Sequence, residues 1–345
     1  MNRNAFKNLL ALGVRRGASD IHFLAGYPPV FRIRGQLLHA RLARLTEADT
    51  RAAASYVLDP AGTRRPALPP EADRGFSVSG LSRFRVNLFR QRGSFGLSLR
   101  VVPFEIPRLA ALGLPAAVQA LAAVRDGLVL VAGEAGNGKS TTVAALLDEV
   151  NHAERLHVVT VEDPIEFVYG DGKAVIAQRE VGSDTPSVRS ALAAALRQDP
   201  DVVMTSDLPD RESADLCLKA VETGRLVLAS SHARDATSAL ARLVGLFPAG
   251  EQQAARDRLA DSLRAVVAQR LLPRADGAGL VPAVEVLLRT RAVAGALRDP
   301  EGLPRLPGLM EAGGALGMHS FRQAVADLEK AQVIVDVRPA PAEGS

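Results

Sequence analysis

The order of apolar and polar positions divides the chain into two parts. In the first hundred residues, two short amphipathic helices, at 4–16 and 46–57, are interspersed with segments typical of half-buried strands. Those strand segments lie at 30–34, 76–78, 83–89 and 96–102. Thr46, with Asp49 at the third helical position, predicts a capping box at the start of the second helix. This part predicts a small α+β domain.

From residue 115 onward, apolar runs of strand length alternate with helical patterns. The predicted strands are 128–132, 157–161, 174–178, 201–205, 226–230 and 282–288. The predicted helices are 115–124, 139–151, 186–198, 211–223, 235–246 and 250–271, followed by short ones near 291–298 and 320–330. Such alternation is typical of a parallel α/β sheet with helices on its faces.

Proline spacing sets the expected boundary between the two parts. Pro103 and Pro107 stiffen the segment between them, so we expect a domain at 1–102, a linker at 103–114 and a second domain at 115–345. Residues 59–72, rich in proline and glycine, predict a loop, and the last eight residues, 338–345, predict disorder.

One segment carries a specific chemical signal. An apolar strand at 127–132 leads into Gly133-Glu134-Ala135-Gly136-Asn137-Gly138-Lys139-Ser140-Thr141, and a helical pattern follows. This is the strand, glycine loop and helix of a P-loop, in which backbone N–H groups surround phosphate oxygens. Lys139 is then expected to reach the β- and γ-phosphates of ATP, and the Ser140 hydroxyl to bind Mg²⁺. The alternative is an ordinary glycine-rich turn.

Two acidic residues follow later predicted strands, where a parallel sheet binds its ligand. Glu162 follows the predicted strand 157–161, in the segment Thr160-Val161-Glu162-Asp163-Pro164, and is a candidate to orient the attacking water or to lie near Mg²⁺. Asp207 follows the predicted strand 201–205 and resembles the acid of a Walker B strand. The alternatives are a polar turn at Asp163-Pro164 and a solvated loop acid at Asp207.

Basic residues complete the candidate set. His232 follows the predicted strand 226–230 and is a candidate to contact the γ-phosphate, although a structural histidine is equally consistent with the pattern. Arg83, Arg85 and Arg100 lie on predicted strands of the first domain and are candidate arginine fingers, from the same or an adjacent subunit. Arginines on a solvated sheet face are the alternative.

Composition excludes several classes of protein. The 345 residues contain one cysteine, which excludes an intramolecular disulfide framework and a multi-cysteine zinc site. We see no apolar stretch of 18 residues and no signal peptide, so we expect no transmembrane segment. Aromatic residues make up 4% of the chain and tryptophan is absent, so we expect an aliphatic core of Ala, Val and Leu. The net charge of +4 fits a membrane-facing surface or nucleic acid without selecting either.

These segments together resemble the secretion ATPases of the type IV pilus and type II secretion superfamily. Thr160 to Phe167 is similar to that family's Asp box, and the family strings Gln178-Arg179-Glu180-Val181-Gly182 and Leu196 to Val202 are highly specific. Glu222-Thr223-Gly224 and Phe247-Pro248 match as well, and the resemblance spans nearly the whole chain. It is strongest to the retraction branch, the PilT and PilU families, since the single cysteine excludes the tetracysteine element of the extension and secretion relatives.

The resemblance implies a PAS-like N-terminal domain, a RecA-like P-loop core with a helical C-terminal tail, and a homohexameric ring. It implies ATP and Mg²⁺ bound between the core and the N-domain arginines, and hydrolysis that drives pilus retraction. The implied location is cytoplasmic, at the inner face of the membrane. There the implied partners are the pilus platform protein and a paralogous retraction ATPase.

Two departures from the family pattern bear on catalysis. Asp207 stands where the family usually has the Walker B glutamate, with Ser206 before it and Pro209 two positions after it. Arg225 stands where the family usually has the first histidine of the His box. These departures leave open an accessory ring subunit that binds ATP but hydrolyses it poorly. A RecA-like nucleic-acid motor also stays open, because unrelated motors share the P-loop core. Aromatic residues do not interleave with the basic ones, as a platform for stacked bases would require, which argues against the nucleic-acid motor. We therefore expect no nucleic-acid partner.

Overall fold

The structure, a computed structural model, describes residues 1–33, 35–59, 62, 68–102 and 105–335. They form two compact units. The first comprises Met1–Glu105 with Pro164–Gly170 and Gly182–Asp184, and the second comprises Ile106–Asp163, Asp171–Val181 and the described chain from Thr185 onward. The predicted disorder at 338–345, half of the predicted loop at 59–72, Arg34, and Pro103 and Phe104 of the predicted linker lie outside the described residues.

The first unit is a six-stranded antiparallel sheet with two helices. Its elements are α1 (Arg3–Arg15), β1 (Ala18–Leu24), β2 (Val30–Ile33), β3 (Gln36–His39), α2 (Glu47–Leu58), β4 (Ala72–Val78), β5 (Ser82–Gln91) and β6 (Ser94–Val102). The strand order is β3-β2-β1-β6-β5-β4. The predicted capping box is confirmed: the Asp49 N–H donates to Thr46 Oγ1 at 3.2 Å, and the Thr46 N–H donates to Asp49 Oδ2 at 2.9 Å.

The core of this unit differs from the expected aliphatic core. Phe6, Phe23 and Phe84 are fully buried, and the rings of Phe6 and Phe23 lie 5.4 Å apart. A small domain has a high surface-to-volume ratio, so large side chains bury the most apolar area per residue. The few aromatic residues are concentrated where the core is smallest, whereas Ala, Val and Leu dominate the core of the second unit.

The second unit is a seven-stranded sheet flanked by helices. Its strands are β7 (Gly127–Ala132), β8 (His157–Glu162), β9 (Val175–Glu180), β10 (Val202–Thr205), β11 (Leu226–Ser231), β12 (Leu263–Pro273) and β13 (Leu280–Leu288). Its helices are α3 (Ala116–Gln119), α4 (Lys139–Ala153), α5 (Val188–Ala195), α6 (Arg211–Glu222), α7 (Ala236–Gly245), α8 (Gln252–Ser262), α9 (Arg291–Arg298), α10 (Leu306–Ala312) and α11 (Phe321–Lys330). The strand order is β13-β12-β7-β11-β10-β8-β9, and only β13 is antiparallel to its neighbour.

One predicted helix is wrong in its second half. The helix predicted over 250–271 ends at Ser262, because Leu263 takes an extended conformation with φ −60° and ψ 137°. Residues from Leu263 onward form β12, which lies between β7 and β13. A strand buried on both faces has no polar alternation, so its apolar run also fits a buried helix. The adjacent β-branched residues Val266 and Val267 favour the strand.

The helix predicted over 115–124 is also shorter than expected: α3 covers four residues and a 3₁₀ turn over Ala120–Ala123 replaces its second half. Within the part of the chain that the structure describes, no helix is both long enough and apolar enough to span a bilayer.

Candidate nucleotide-binding site

The candidate site lies at one edge of the second sheet. Strands β7, β8, β10 and β11 run parallel to one another, so their carboxyl ends share an edge. The segments that follow them carry the P-loop, Asp163, Asp207 and His232, while Glu162 is the last residue of β8. Ligands bind outside the carboxyl ends of strands in open α/β sheets, and the sheet therefore gathers the core residues predicted from sequence at one edge.

Positive φ angles shape the P-loop. Gly133, Gly136 and Gly138 have φ of +150°, +81° and +78°, values that residues with a Cβ adopt only under strain. The Gly133 N–H donates to the carbonyl of Ser231 at 3.2 Å, which joins the loop to the end of β11. Helix α4 begins at Lys139, immediately after Gly138. Backbone N–H groups at a helix start after such a loop form an anion-binding site.

Lys139 lies against the loop that precedes it. Its side chain is buried and Nζ donates to the carbonyl oxygen of Glu134 at 3.0 Å. Ser140 and Thr141 lie half-buried in the first turn of α4. The ammonium is therefore held beside the loop, within the region where a P-loop binds phosphate.

The base of the loop contacts a residue that sequence reasoning missed. Gln269, buried in β12, donates from Nε2 to the carbonyl of Asn137 at 2.6 Å and accepts from the Thr142 hydroxyl at 2.9 Å. Two positions later, the Leu271 N–H donates to Asn137 Oδ1 at 3.0 Å. Asn137, predicted as a nucleotide-binding residue, therefore has its side-chain oxygen bonded to β12. A lone glutamine in an apolar strand was the available signal, but that strand was predicted as helix.

Glu162, the last residue of β8, is a buried acid at this edge. Its side chain is 4% exposed, and Oε1 accepts from Thr160 Oγ1 at 2.6 Å and from Gln178 Nε2 at 3.0 Å. Two donors on one oxygen fix the orientation of the carboxylate. Thr160 and Gln178 were not predicted as site residues.

Asp207 lies beside the ends of three strands. It shares the lining of a small cavity with Leu130 of β7 and with Ser230 and Ser231 of β11. Its backbone carbonyl accepts from Thr205 Oγ1 at 2.8 Å. The neighbouring Ser206 accepts the Asp163 N–H at 3.0 Å and donates its own N–H to the carbonyl of Val161 at 3.0 Å. These bonds attach the segment after β10 to the end of β8.

His232 and Arg225 occupy opposite ends of one strand. His232 is the first residue after β11 and is exposed at the P-loop edge, which makes it accessible to a ligand. Arg225 precedes the same strand, and β11 spans roughly 20 Å at about 3.3 Å per residue. Arg225 donates to the carbonyl of Pro200 at 3.3 Å and shares the lining of a separate cleft with Asp199. Within one chain, Arg225, which replaces the first histidine of the family's His box, therefore lies away from the P-loop.

The three predicted N-domain arginines differ in their bonds. Arg85 and Arg100 are cross-strand neighbours in β5 and β6, and both are exposed. Arg100 Nε donates to Asp20 Oδ1 at 3.0 Å, whereas Arg83 donates to Ser77 Oγ at 2.9 Å. Burial raises the pKa of Asp20, but the Arg100 and Ser19 hydrogen bonds outweigh it and hold that pKa below its usual value. Arg85 and Arg100 thus form an exposed cationic pair.

Among the described residues, no group of three His, Cys, Asp or Glu side chains is placed to hold a metal ion. The donors at the P-loop edge are the Ser140 hydroxyl and carboxylates, hard oxygen ligands that suit Mg²⁺ carried with phosphates.

The fold and this edge define the chain as a P-loop ATPase with a RecA-like core and an N-terminal α+β domain. It belongs to the type II/IV secretion system protein family, whose model matches residues 4–295. Within that family it is one of the PilT/PilU-type twitching motility ATPases, as its similarity to individual members shows.

Two proteins of Pseudomonas aeruginosa are similar over most of their length. The type IV pilus retraction ATPase PilT is 36% identical, over 91% of this chain and 90% of its own. The type IV pilus ATPase PilU is 38% identical, over 94% of this chain and 84% of its own. A crystal structure of the pilus retraction motor PilT with bound ADP matches with a TM-score of 0.86 at 37% identity, covering 98% of each chain.

Proposed function

We propose that this chain is the ATP-hydrolysing subunit of a homohexameric motor that powers type IV pilus retraction. The observation that carries the proposal is the P-loop at 133–141, placed at one sheet edge with the enclosed carboxylate of Glu162. Similarity to PilT over about nine-tenths of both chains supports the retraction role. We further propose that residues 1–102 and 115–345 act as its two domains, joined by 103–114.

In this proposal the P-loop residues bind the nucleotide. Gly133, Gly136 and Gly138 allow the backbone to surround the β-phosphate, and the α4 N-terminus adds the positive end of its dipole. Lys139 exchanges its bond to the Glu134 carbonyl for the β- and γ-phosphate oxygens. The backbone of Asn137 and the hydroxyl of Thr141 contribute further phosphate contacts.

Ser140 is the residue that we propose would hold Mg²⁺ through its hydroxyl when the nucleotide is bound. Bound there, Mg²⁺ neutralises charge on the phosphates during transfer. Asp207 would interact with the same ion through a water molecule, because bound Mg²⁺ usually keeps several of its waters.

Glu162 activates water in the proposed hydrolysis. A water oxygen forms a bond to the γ-phosphorus, and the bond from that phosphorus to the β,γ-bridging oxygen breaks, so that ADP leaves with the electron pair. Glu162 accepts the proton released by the water. Thr160 and Gln178 hold its carboxylate in one orientation, which keeps the base in place between turnovers.

Hydrogen-bond donors and arginine side chains stabilise the charge that develops on the γ-phosphate. His232, exposed at the P-loop edge, contacts it from the same chain. Arg85 and Arg100, and Arg83 with them, are proposed arginine fingers from the N-terminal domain of an adjacent subunit. This arrangement requires a ring, so that an isolated subunit turns over slowly.

We place the ring in the cytoplasm, at the inner face of the membrane, where it acts on the pilus platform protein. A paralogous retraction ATPase beside it is a further proposed partner, since both PilT and PilU of one organism are similar to this chain.

Asp207 favours a second candidate function, an accessory subunit that binds ATP and supports another motor. Aspartate withdraws the carboxylate by one methylene relative to the glutamate of the family pattern, and a misplacement of about 1 Å can cost on the order of 100-fold in rate. Binding would then persist while hydrolysis slows.

Steady-state ATP turnover of the assembled oligomer separates the two functions. If the chain is the motor, we expect Glu162→Gln to reduce turnover by at least about 100-fold. We expect Lys139→Ala to abolish both turnover and MgADP binding. Complementation of a retraction-deficient strain, followed by twitching motility, tests the cellular role. Turnover that is vestigial in the parent and rises steeply in Asp207→Glu would instead establish the accessory subunit.

A further inference from the structure

Gln269 connects two segments of the second unit that are distant in sequence, strand β12 and the P-loop with the start of α4. It lies on β12, and its side-chain amide contacts the P-loop at Asn137 and the first turn of α4 at Thr142. Its orientation is determined by chemistry, since the Asn137 carbonyl only accepts and therefore must face the amide NH₂. The Gln269 carbonyl-type oxygen is then left to accept from the Thr142 hydroxyl.

The backbone around Gln269 also leaves the loop little space. A Cβ on Gly133 would lie 2.7 Å from the backbone oxygen of Gln269, and a Cβ on Gly138 would lie 3.1 Å from its Nε2. Both ends of the loop therefore pack against this one residue. The Leu271 N–H adds a bond to Asn137 Oδ1, so that strand β12 holds Asn137 by backbone and side chain together.

We propose that Gln269 is a positioning residue for the nucleotide phosphates, acting through the P-loop without contact to the nucleotide. The bond to the Asn137 carbonyl fixes the peptide before Gly138, and the bond to Thr142 fixes the helix turn that carries Lys139 and Ser140. Its two bonds keep the loop in its binding conformation before ligand arrives, which reduces the ordering cost of binding. This inference rests on the proposed nucleotide binding at the P-loop.

The test compares Gln269→Met with a variant that weakens the same sheet elsewhere. Methionine keeps the length and volume of the side chain but leaves the Asn137 carbonyl and Thr142 hydroxyl without their partner. Val286→Ala, at a fully buried position of the neighbouring strand β13, is the matched control for lost stability. Calorimetric titration with MgADP gives affinity, and thermal unfolding gives stability.

We expect Gln269→Met to weaken MgADP binding by about tenfold, the size expected when a buried carbonyl loses its donor, while Val286→Ala binds within about twofold of the parent. Hydrogen exchange of peptides covering 133–142 should accelerate in Gln269→Met and stay unchanged in Val286→Ala. This readout requires no turnover, so it also applies to a protein that hydrolyses slowly.

Thr142→Val keeps the test decisive if Gln269→Met fails to fold. It is nearly isosteric and removes one of the two bonds, so a loss of about threefold in MgADP affinity is expected. Parent-like affinity in the folded Gln269 and Thr142 variants would overturn the proposal, as would an equal loss in Val286→Ala. Failure of the unsubstituted protein to bind MgADP would instead overturn the proposed function, and it is seen before any variant is made.

Discussion

The Thr160 hydroxyl donates to Glu162 Oε1 at 2.6 Å, and both residues are buried in β8. Because a charge-assisted hydrogen bond orients the carboxylate, we predict that Thr160→Val lowers ATP turnover of the oligomer by about five- to tenfold. The KM for ATP should change little, since neither residue lies in the P-loop. Initial rates measured over a range of ATP concentrations give kcat and KM separately and so check this prediction.

The comparison variant is Thr50→Val, which removes the hydroxyl of another fully buried threonine, in α2 of the first unit. Its turnover should equal that of the parent. If Thr160→Val also matched the parent while Glu162→Gln was inactive, the hydrogen bond would have no part in orienting the base.

Gly133 and Gly136 differ in backbone angle, with φ of +150° and +81°, and in what an added Cβ would contact. Gly133→Ala places a methyl group 2.7 Å from the backbone oxygen of Gln269, whereas at Gly136 nothing lies within 4 Å of the new Cβ. Both positions have positive φ, so Gly136→Ala should cost about 1 kcal/mol of stability from backbone strain alone. Gly133→Ala should cost at least about 1–3 kcal/mol more, because a backbone carbonyl cannot rotate away.

Thermal unfolding of the unliganded variants measures this difference directly. Equal destabilisation of the two variants would mean that the approach of β12 to Gly133 does not constrain the loop.

The sequence predicted the parts of this site in which chemistry and chain order coincide. The P-loop combines a glycine spacing, a preceding strand and a following helix in one short segment, so local sequence was sufficient. The same is true of the capping box at Thr46 and Asp49, where two side chains three residues apart satisfy the helix start. Alternating strands and helices then indicated the parallel sheet.

The parts that sequence missed depend on contacts between distant segments. Gln269 is 132 positions from Asn137, and only the placement of β12 beside β7 brings them together. Strand β12 itself was misread as helix because burial on both faces removes the alternation that identifies a strand. The family pattern associates Arg225 with catalysis, but Arg225 precedes β11 and therefore lies at the edge of the sheet opposite the P-loop.

Glu285 provides a prediction with a defined dependence on pH. The side chain is buried in β13 and accepts the N–H groups of Ala236 at 2.8 Å and Phe321 at 3.4 Å, at the starts of α7 and α11. Burial raises the pKa of this carboxyl above its usual value, and the two N–H bonds oppose that effect. The folded state therefore retains the proton to higher pH than the unfolded state.

An acid with a raised pKa in the folded state makes stability fall as pH rises from the ordinary glutamate pKa through the raised one. Glu285→Gln removes this loss, so its unfolding free energy relative to the parent should increase as pH rises above the ordinary glutamate pKa. Urea unfolding at several pH values measures it, with the exposed Glu301→Gln as control for one lost negative charge. A relative stability that fell with pH would contradict the raised pKa.

Asp20 and Arg100 give the reverse dependence on pH, at the proposed arginine finger. The Asp20 carboxylate accepts from Arg100 Nε at 3.0 Å and lies 4.0 Å from Arg32 Nε. Because the pKa of Asp20 is lowered in the folded protein, its contribution is present above the ordinary aspartate pKa and is lost as pH falls through the folded pKa. Asp20→Asn should therefore cost about 0.5–1 kcal/mol near neutral pH, a surface-pair value, and nothing at strongly acidic pH.

The same substitution should slow the assembled ring, because Arg100 loses the acceptor that orders its long side chain. We expect Arg100→Ala to reduce turnover by at least about tenfold and Asp20→Asn by about threefold, whereas Arg32→Ala, which leaves the Asp20–Arg100 bond in place, should retain parent-like turnover. Measuring all three below and above the protein concentration at which the ring assembles separates a finger acting between subunits from one acting within a chain. Full turnover of the Arg100→Ala ring would contradict Arg100 as the arginine finger. In that case Arg85 would be the finger, and Arg85→Ala should be inactive.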